Sequence, residues 1–277
     1  MSDNSANNGG FTLVEMVIAI VITGIIAGMV AVFVTKPVKG YVDTAARADL
    51  ADAADTALKR MKRDLRLALP NSVRVDASGH YLELLLTSMG GRYLAAEDNP
   101  SSGHILDFSN SADTSFDVIG PDLPSVGESI VVYNLGPGLP PADAYCSGSA
   151  CNNRATVASV SGNTVTLSAN PFALEMPELP SPGHRFMAVS TPVTYGCSNG
   201  NLIRYWNYSI SPAQPVPPSG GSSALLATGV ANCVFSYSSM ANIRSGLVGI
   251  GLTLANPDNA DAGSVTLFEQ VHVDNTP

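Results

Sequence analysis

The stretch GGFTLVEMVIAIVITGIIAGMV, Gly9 to Val30, decides the fold. It is apolar enough to cross a membrane, yet it carries a carboxylate, Glu15, near its start. The ten residues before Phe11, MSDNSANNGG, contain no Lys or Arg. Met16 to Val34 is nineteen residues without a charge. As a helix rising ~1.5 Å per residue it spans roughly 28 Å, about one hydrocarbon core. Lys36 and Pro37 close the run. A cleavable secretory peptide needs a basic start and a small-residue cleavage site after the apolar core, and neither is present. Moving a carboxylate from water into lipid costs several kcal/mol, so Glu15 requires a compensating partner. A cut between Gly10 and Phe11 would supply one. Phe11 would then carry a free ammonium one helical turn from Glu15. Pairing of the two, within a chain or between neighbours, would set the axial register of packed helices.

The order Gly10-Phe11-Thr12-Leu13-Val14-Glu15, followed by the apolar run, resembles the prepilin cleavage and methylation motif of type IV pilins and type II secretion pseudopilins. The resemblance implies a leader over residues 1–10, removed after Gly10 by a membrane-embedded prepilin peptidase that also N-methylates Phe11. It implies that Glu15 contacts the N-terminus of an adjacent subunit during assembly. The implied partners are other major and minor pilins, the prepilin peptidase, the inner-membrane assembly platform and membrane lipid. The implied location is the bacterial inner membrane, single-pass with the head in the periplasm, and then a filament at the cell surface. Family leaders usually carry basic residues and this one has none, so orientation rests on the motif; Lys36 and Lys39 lie on the side assigned as outer. Gly24 and Gly28 form GxxxG, open to three readings: close helix contact, ordinary membrane-helix glycine, or local loosening of the helix as in assembled pilins. Two further stretches, LKRMKRDLRLALPNSVRV (Leu58 to Val75) and LFEQVHVDNTP (Leu267 to Pro277), look like minor pilins of the MSHA type. The alternative is a J-type tip pseudopilin of type II secretion, which shares the Arg/Asp-rich helix end. The length of the head and the Cys146/Cys151 loop lean toward the pilus.

Past the membrane run, residues 36–69 become amphipathic. Val38, Val42, Ala46, Leu50, Ala54, Leu58, Met61, Leu65 and Leu69 recur every three or four positions, and Pro70 stops the pattern. Residues 11–35 and 36–69 therefore predict one helix from Phe11 to Leu69, roughly 88 Å long and a candidate for bending at Pro37. The remainder, 70–277, is β-rich by alternation, β-branching and turn residues. Strands are expected at His80–Thr87, Ser129–Asn134, Arg154–Val160, Thr164–Ser168, His184–Ser190, Asn201–Tyr208, Asn232–Tyr237, Leu247–Leu254 and Ser264–Asp274. Loops are expected at Gly136–Cys151 and Pro212–Gly221, and a second β-subdomain around residues 110–190. The fold class is α+β and pilin-like: a long N-terminal transmembrane-plus-amphipathic helix packed on an antiparallel β-sheet head.

The 277-residue chain has a formal net charge of -9, unevenly spread. From Lys36 to Arg66 there are eight basic and five acidic side chains; from Leu67 onward, six and sixteen. An acidic head is a poor binder of nucleic acid. The cluster Lys59, Arg60, Lys62, Arg63, Arg66 reads as a solvated helix face. Four cysteines, Cys146, Cys151, Cys197 and Cys233, allow three pairings; the simplest joins 146 to 151 and 197 to 233. No Cys pair has zinc spacing with histidine nearby. His80, His104, His184 and His272 are scattered beside strands. No nucleophile motif, P-loop or H-E-x-x-H occurs, so an enzyme is not expected, nor a metal or cofactor. Asn256, Asp258, Asn259 and Asp261 crowd oxygens into one turn that would suit calcium, but without EF-hand spacing, and the same residue types make turns. Trp206 and Tyr208 are expected on one strand face and Tyr205 on the other, with core packing favoured over a stacking surface.

Overall fold

The computed structural model describes residues 10–148, 151–242, 244–257 and 263–277. Its spine is helix α1, Leu13–Arg66. Thr12 caps it: the side chain accepts from the Glu15 backbone N–H at 3.3 Å, and Glu15 sits in the first turn where the helix dipole favours an acid. The helix runs 54 residues, about 81 Å, and continues through Pro37. It ends when the Leu67 and Ala68 N–H groups turn back to Asp64 and Leu65. The next residues leave the helix because they join a sheet edge: Leu69 N–H donates to Leu85 O at 2.8 Å, and Thr87 N–H to Leu67 O at 2.9 Å. The helix is thus shorter at both ends than the expected Phe11–Leu69.

Only the last third of α1 meets the head. Ala54, Ala57, Leu58, Met61, Asp64 and Leu65 are buried, whereas Val38 and Val42 are 57% and 50% exposed. The apolar stripe recurs along the whole of 36–69, but its first half faces outward.

The head is antiparallel throughout. Strands β1 (Arg74–Val75), β2 (Tyr81–Tyr93), β3 (Ser115–Ile119), β4 (Ser129–Val131), β5 (Arg154–Ser161), β6 (Thr164–Leu167), β7 (Arg185–Ser198), β8 (Asn201–Trp206) and β9 (Ser222–Thr228) form one sheet. Strands β10 (Val230–Asn242), β11 (Ser245–Ala255) and β12 (Ser264–Asp274) form another. The long β2–β7 ladder organises the first sheet. Its lower half pairs Tyr81–Leu86 with Thr191–Gly196, and is extended by β1 on one side and β8–β9 on the other. Register shifts between Leu86 and Met89 bend it. In the upper half the two strands stay paired and each gains a new neighbour on its outer edge, β2 pairing with β3 and β7 with β4. The pairings β3–β6, β6–β5 and β5–β4 complete the circuit. The circuit β2–β3–β6–β5–β4–β7–β2 is a closed barrel, which leaves those strands without free edges. This barrel is the second β-subdomain expected around 110–190, although it borrows two walls from the main sheet.

Each unit has its own core. Tyr93, Phe116, Ile130, Val157, Val165, Leu167, Phe172 and Phe186 fill the barrel, with Phe116 and Phe186 edge to face at 5.5 Å. The main core gathers Met61 and Leu65 of α1, Leu82, Leu84, Val193 and Tyr195 of the first sheet, and Phe235, Ile250, Leu252 and Val271 of the second. The helix end is therefore wedged between two sheets. They join covalently through Gly229, between β9 and β10. Its φ of +68° and a Cβ that would meet Ala255 O at 2.3 Å restrict the position to glycine. A smaller cluster, Leu69, Leu85, Val131, Ala144, Tyr145 and Val189, lies under the Gly136–Cys151 loop.

Candidate functional site

The N-terminal segment presents its expected features to the outside. Phe11 is 80% exposed, and Glu15 is exposed on the first turn of α1. Among the described residues the Glu15 carboxylate makes no hydrogen bond or ion pair. Every residue from Met16 to Val34 is exposed, and α1 is the one described helix long and apolar enough to span a membrane. Its few polar side chains are satisfied locally: Thr23 donates to Ala19 O at 2.6 Å and Thr35 to Ala31 O at 2.8 Å, as a lipid-facing hydroxyl requires. A Cβ at Gly24 or Gly28 would meet nothing within 4 Å, so within one chain neither glycine serves packing. Gly10 lies just outside the helix; residues 1–9 lie outside the described residues.

The other end of the spine is tied to the head by a buried ion pair. Asp64, 2% exposed, accepts from Arg204 Nε of β8 and from the Tyr195 hydroxyl of β7, each at 2.8 Å. Arg204 also lies 4.9 Å above the Trp206 ring. Burial, with the Asp64 carboxylate beside it, pushes the Tyr195 phenol well above its usual range. Farther along, Lys62 pairs with Glu269 of β12. The helix is thus bonded to both sheets. Of the remaining basic cluster, Lys59 pairs with Asp55 at 2.6 Å, which raises its pKa, and Arg60 lies 3.5 Å from Asp64. Arg63 and Arg66 are exposed in the last turn.

A second buried network joins loop to sheet. Fully buried Glu83 takes Arg74 Nε at 2.6 Å and the Tyr208 hydroxyl at 3.0 Å. Arg74 reaches Pro212 O and Ser211 O and stacks 3.7 Å over Tyr145. Burial raises the Glu83 pKa in spite of the guanidinium. Tyr208 thus anchors a loop rather than offering a stacking surface, Trp206 packs on the main core, and Tyr205 lies on the opposite face.

Disulfides join Cys146 to Cys151 and Cys197 to Cys233. The first links two cysteines five positions apart; the second crosses from β7 to β10, between the two sheets. At one end of the barrel Tyr93, Leu106, Phe108, His184, Glu97, Asp107 and Glu178 surround a hollow of about 220 Å³. His184 Nδ1 lies 3.1 Å from Arg92 Nη2 and must accept, because a guanidinium only donates. No group of three or more metal-ligating side chains occurs among the described residues. Of the turn considered for calcium, Asp258, Asn259 and Asp261 lie outside the described residues.

Two features escaped the sequence reading. Asp64 falls on the apolar stripe, three residues from Met61 and seven from Ala57, and a carboxylate there signals a buried cation opposite. Between Arg204 and Arg244 no charged side chain occurs at all.

Residues 5–31 match the family described as "Prokaryotic N-terminal methylation motif". No curated protein and no solved structure matches the chain. The match covers the Gly10–Glu15 motif and most of the apolar run, so the prepilin-type start and the pilin-like fold rest on separate observations.

Proposed function

We propose that this chain is a minor pilin, a structural subunit that enters or primes a type IV pilus of the MSHA type after processing by prepilin peptidase. The observation that carries the reading is the unpartnered Glu15 carboxylate, four residues after Phe11 on a helix otherwise clothed in apolar side chains. Burying that acid among packed helices is costly unless a cation meets it. Cleavage after Gly10 creates that cation at the right place, on this chain or on the adjacent pilin. The outward-facing Val38–Val42 stretch supplies the surface that neighbouring spines would cover. The Asp64–Arg204 pair fixes the head on its spine, so that an ordered spine orders the head. The residues resembling MSHA-type minor pilins support the finer assignment, within the inner membrane first and the fibre afterwards.

Two fractions test it: sheared surface fibres and membranes. The wild-type protein should appear in the fibre fraction. Glu15→Leu should remain in the membrane at wild-type level and be lost from fibres. Normal incorporation of that variant would remove the role given to Glu15. Presence only in the cell envelope, with loss of exoprotein secretion on deletion, would assign the chain instead to a type II secretion pseudopilus.

A further inference from the structure

We infer that the hollow at the barrel end binds a primary alkylammonium ion, carried by a free amine or by a lysine side chain. The hollow lies where β2 ends and β7 begins, at the opposite end of their ladder from Leu82, Leu84, Val193 and Tyr195, which share a core with α1. Tyr93 is fully buried beneath it. The Phe108 and His184 rings flank Tyr93, with centroids at 5.8 and 5.7 Å from its own. All three rings line the same space of about 220 Å³. That is below the roughly 300 Å³ at which drug-sized sites begin, so it suits a ligand of a few heavy atoms.

The lining fixes the sign of the ligand. Glu97, Asp107 and Glu178 border the hollow, and no Lys or Arg does. The neighbouring Arg92 is taken up by Asp98 and by His184 Nδ1. Asp107 accepts from the Ser109 hydroxyl and from the Ser109 and Asn110 N–H groups, all on Oδ1, which keeps it charged and leaves Oδ2 outside those bonds. Glu97 stands 3.8 Å from His184 Nε2, too far for a hydrogen bond, and Glu178 makes no hydrogen bond or ion pair among the described residues. The acids are spread between the rings: no group of three side chains placed to hold a metal occurs among the described residues. A compact metal ion is therefore not matched, whereas a cation on an apolar stem is. Its stem lies along the rings, whose faces also favour the charge, and its three N–H donors reach the carboxylates. The wall that carries Glu178 is itself short of donors. Asn170 Oδ1, both Glu175 oxygens and Ser181 Oγ are buried without a partner. Two of these residues are bonded through other atoms to the lining: Asn170 Nδ2 donates to Asp107 O at 2.7 Å, and the Ser181 N–H to the Tyr93 hydroxyl at 3.2 Å. A quaternary ammonium would bring charge but no donor, so the primary ion fits better. The site belongs to the head alone and is independent of which fibre the protein serves.

Ligand-observed NMR titrations of the full-length protein in a non-ionic detergent test this, with n-butylammonium, Nα-acetyl-lysine methylamide and 1-butanol as probes. Butylammonium should bind at least tenfold more tightly than 1-butanol, which has the same stem without the charge. Asp107→Asn with Glu178→Gln should weaken butylammonium at least tenfold with unchanged circular dichroism. Glu178→Gln alone, at an exposed position with no bond to lose, should give a smaller loss in the same direction. Asp49→Asn, exposed on α1, removes the same single charge and should leave binding unchanged. The lysine derivative binding as well as butylammonium would identify a lysine side chain of a protein as the source; butylammonium binding alone would identify a free amine. Binding of no ammonium probe, equal binding of butylammonium and 1-butanol, an equal loss with Asp49→Asn, or full binding by the Asp107→Asn, Glu178→Gln protein would each overturn the proposal.

Discussion

Asp64 shows what one side chain can decide. It sits on the spine among Met61, Leu65 and Ala57, where a carboxylate would be costly unless paired, and Arg204 and Tyr195 supply the partners. Removing one member leaves the other buried and uncompensated, a change worth about 3–5 kcal/mol. Asp64→Leu is therefore expected to lower thermal stability strongly, while Asp64→Leu with Arg204→Met should recover much of the loss; melting curves of the four variants in detergent form the cycle that checks this. Glu175 is the converse case. It is 2% exposed, neither oxygen receives a well-formed hydrogen bond, and burial pushes its pKa up to about 7, the nearby Leu179 backbone N–H offsetting only part of that. A carboxyl whose pKa rises on folding stabilises the fold fully below its unfolded pKa, and that stability is lost as pH rises toward the folded value. The wild type should thus lose roughly 3 kcal/mol between about pH 4.5 and pH 7 from this group. Glu175→Gln should flatten that part of the stability–pH curve, measured by denaturant melts at several pH values; an unchanged slope would contradict the assignment.

At the scale of elements, what was legible depended on whether the cause was local. The spine was, because its hydropathy and its 3.6-residue period are written in consecutive residues; its end at Arg66 was not, because it is set by pairing with β2 rather than by Pro70. Strand β12 was, because Ser264–Asp274 alternates cleanly against β11. The second half of β2 was not: the strand was expected to end at Thr87, before Ser88-Met89-Gly90-Gly91. Its glycines are there because Phe186 and Met187 cross so close that a Cβ would meet them at 2.6 and 2.8 Å. Nor was β9, whose SSALLAT lacks alternation because just one of its residues, Ala227, is buried. Barrel closure left no local trace, since β2–β3 and β4–β7 pair residues far apart in the chain. The site followed the same rule. Gly10, Phe11 and Glu15 form a contiguous motif, whereas Asp64 and Arg204 are 140 positions apart and meet only on folding. The Cys197–Cys233 bridge ties elements 36 residues apart, and by loop entropy its removal should cost roughly 3–4 kcal/mol. Replacing both by Ser should lower the denaturation midpoint accordingly, and a midpoint unchanged under reducing and oxidising conditions alike would refute it.

The whole molecule is a rod of about 81 Å, its first part long enough to cross a membrane, welded to a head at one end only. The weld consists of residues 54–65 of α1, an ion pair to each sheet and the core between them. Residues 13–42 of the rod face outward, a poor economy for a solitary tether but a sensible one for a part that packs beside others. On the proposed function, that packing depends on maturation, because a cut before Phe11 is what would give Glu15 its partner. The most direct measurement is the N-terminal sequence and intact mass of the protein from membranes containing prepilin peptidase. The account predicts a chain beginning at N-methylated Phe11; a mature protein that still begins at Met1 or Ser2 would contradict it.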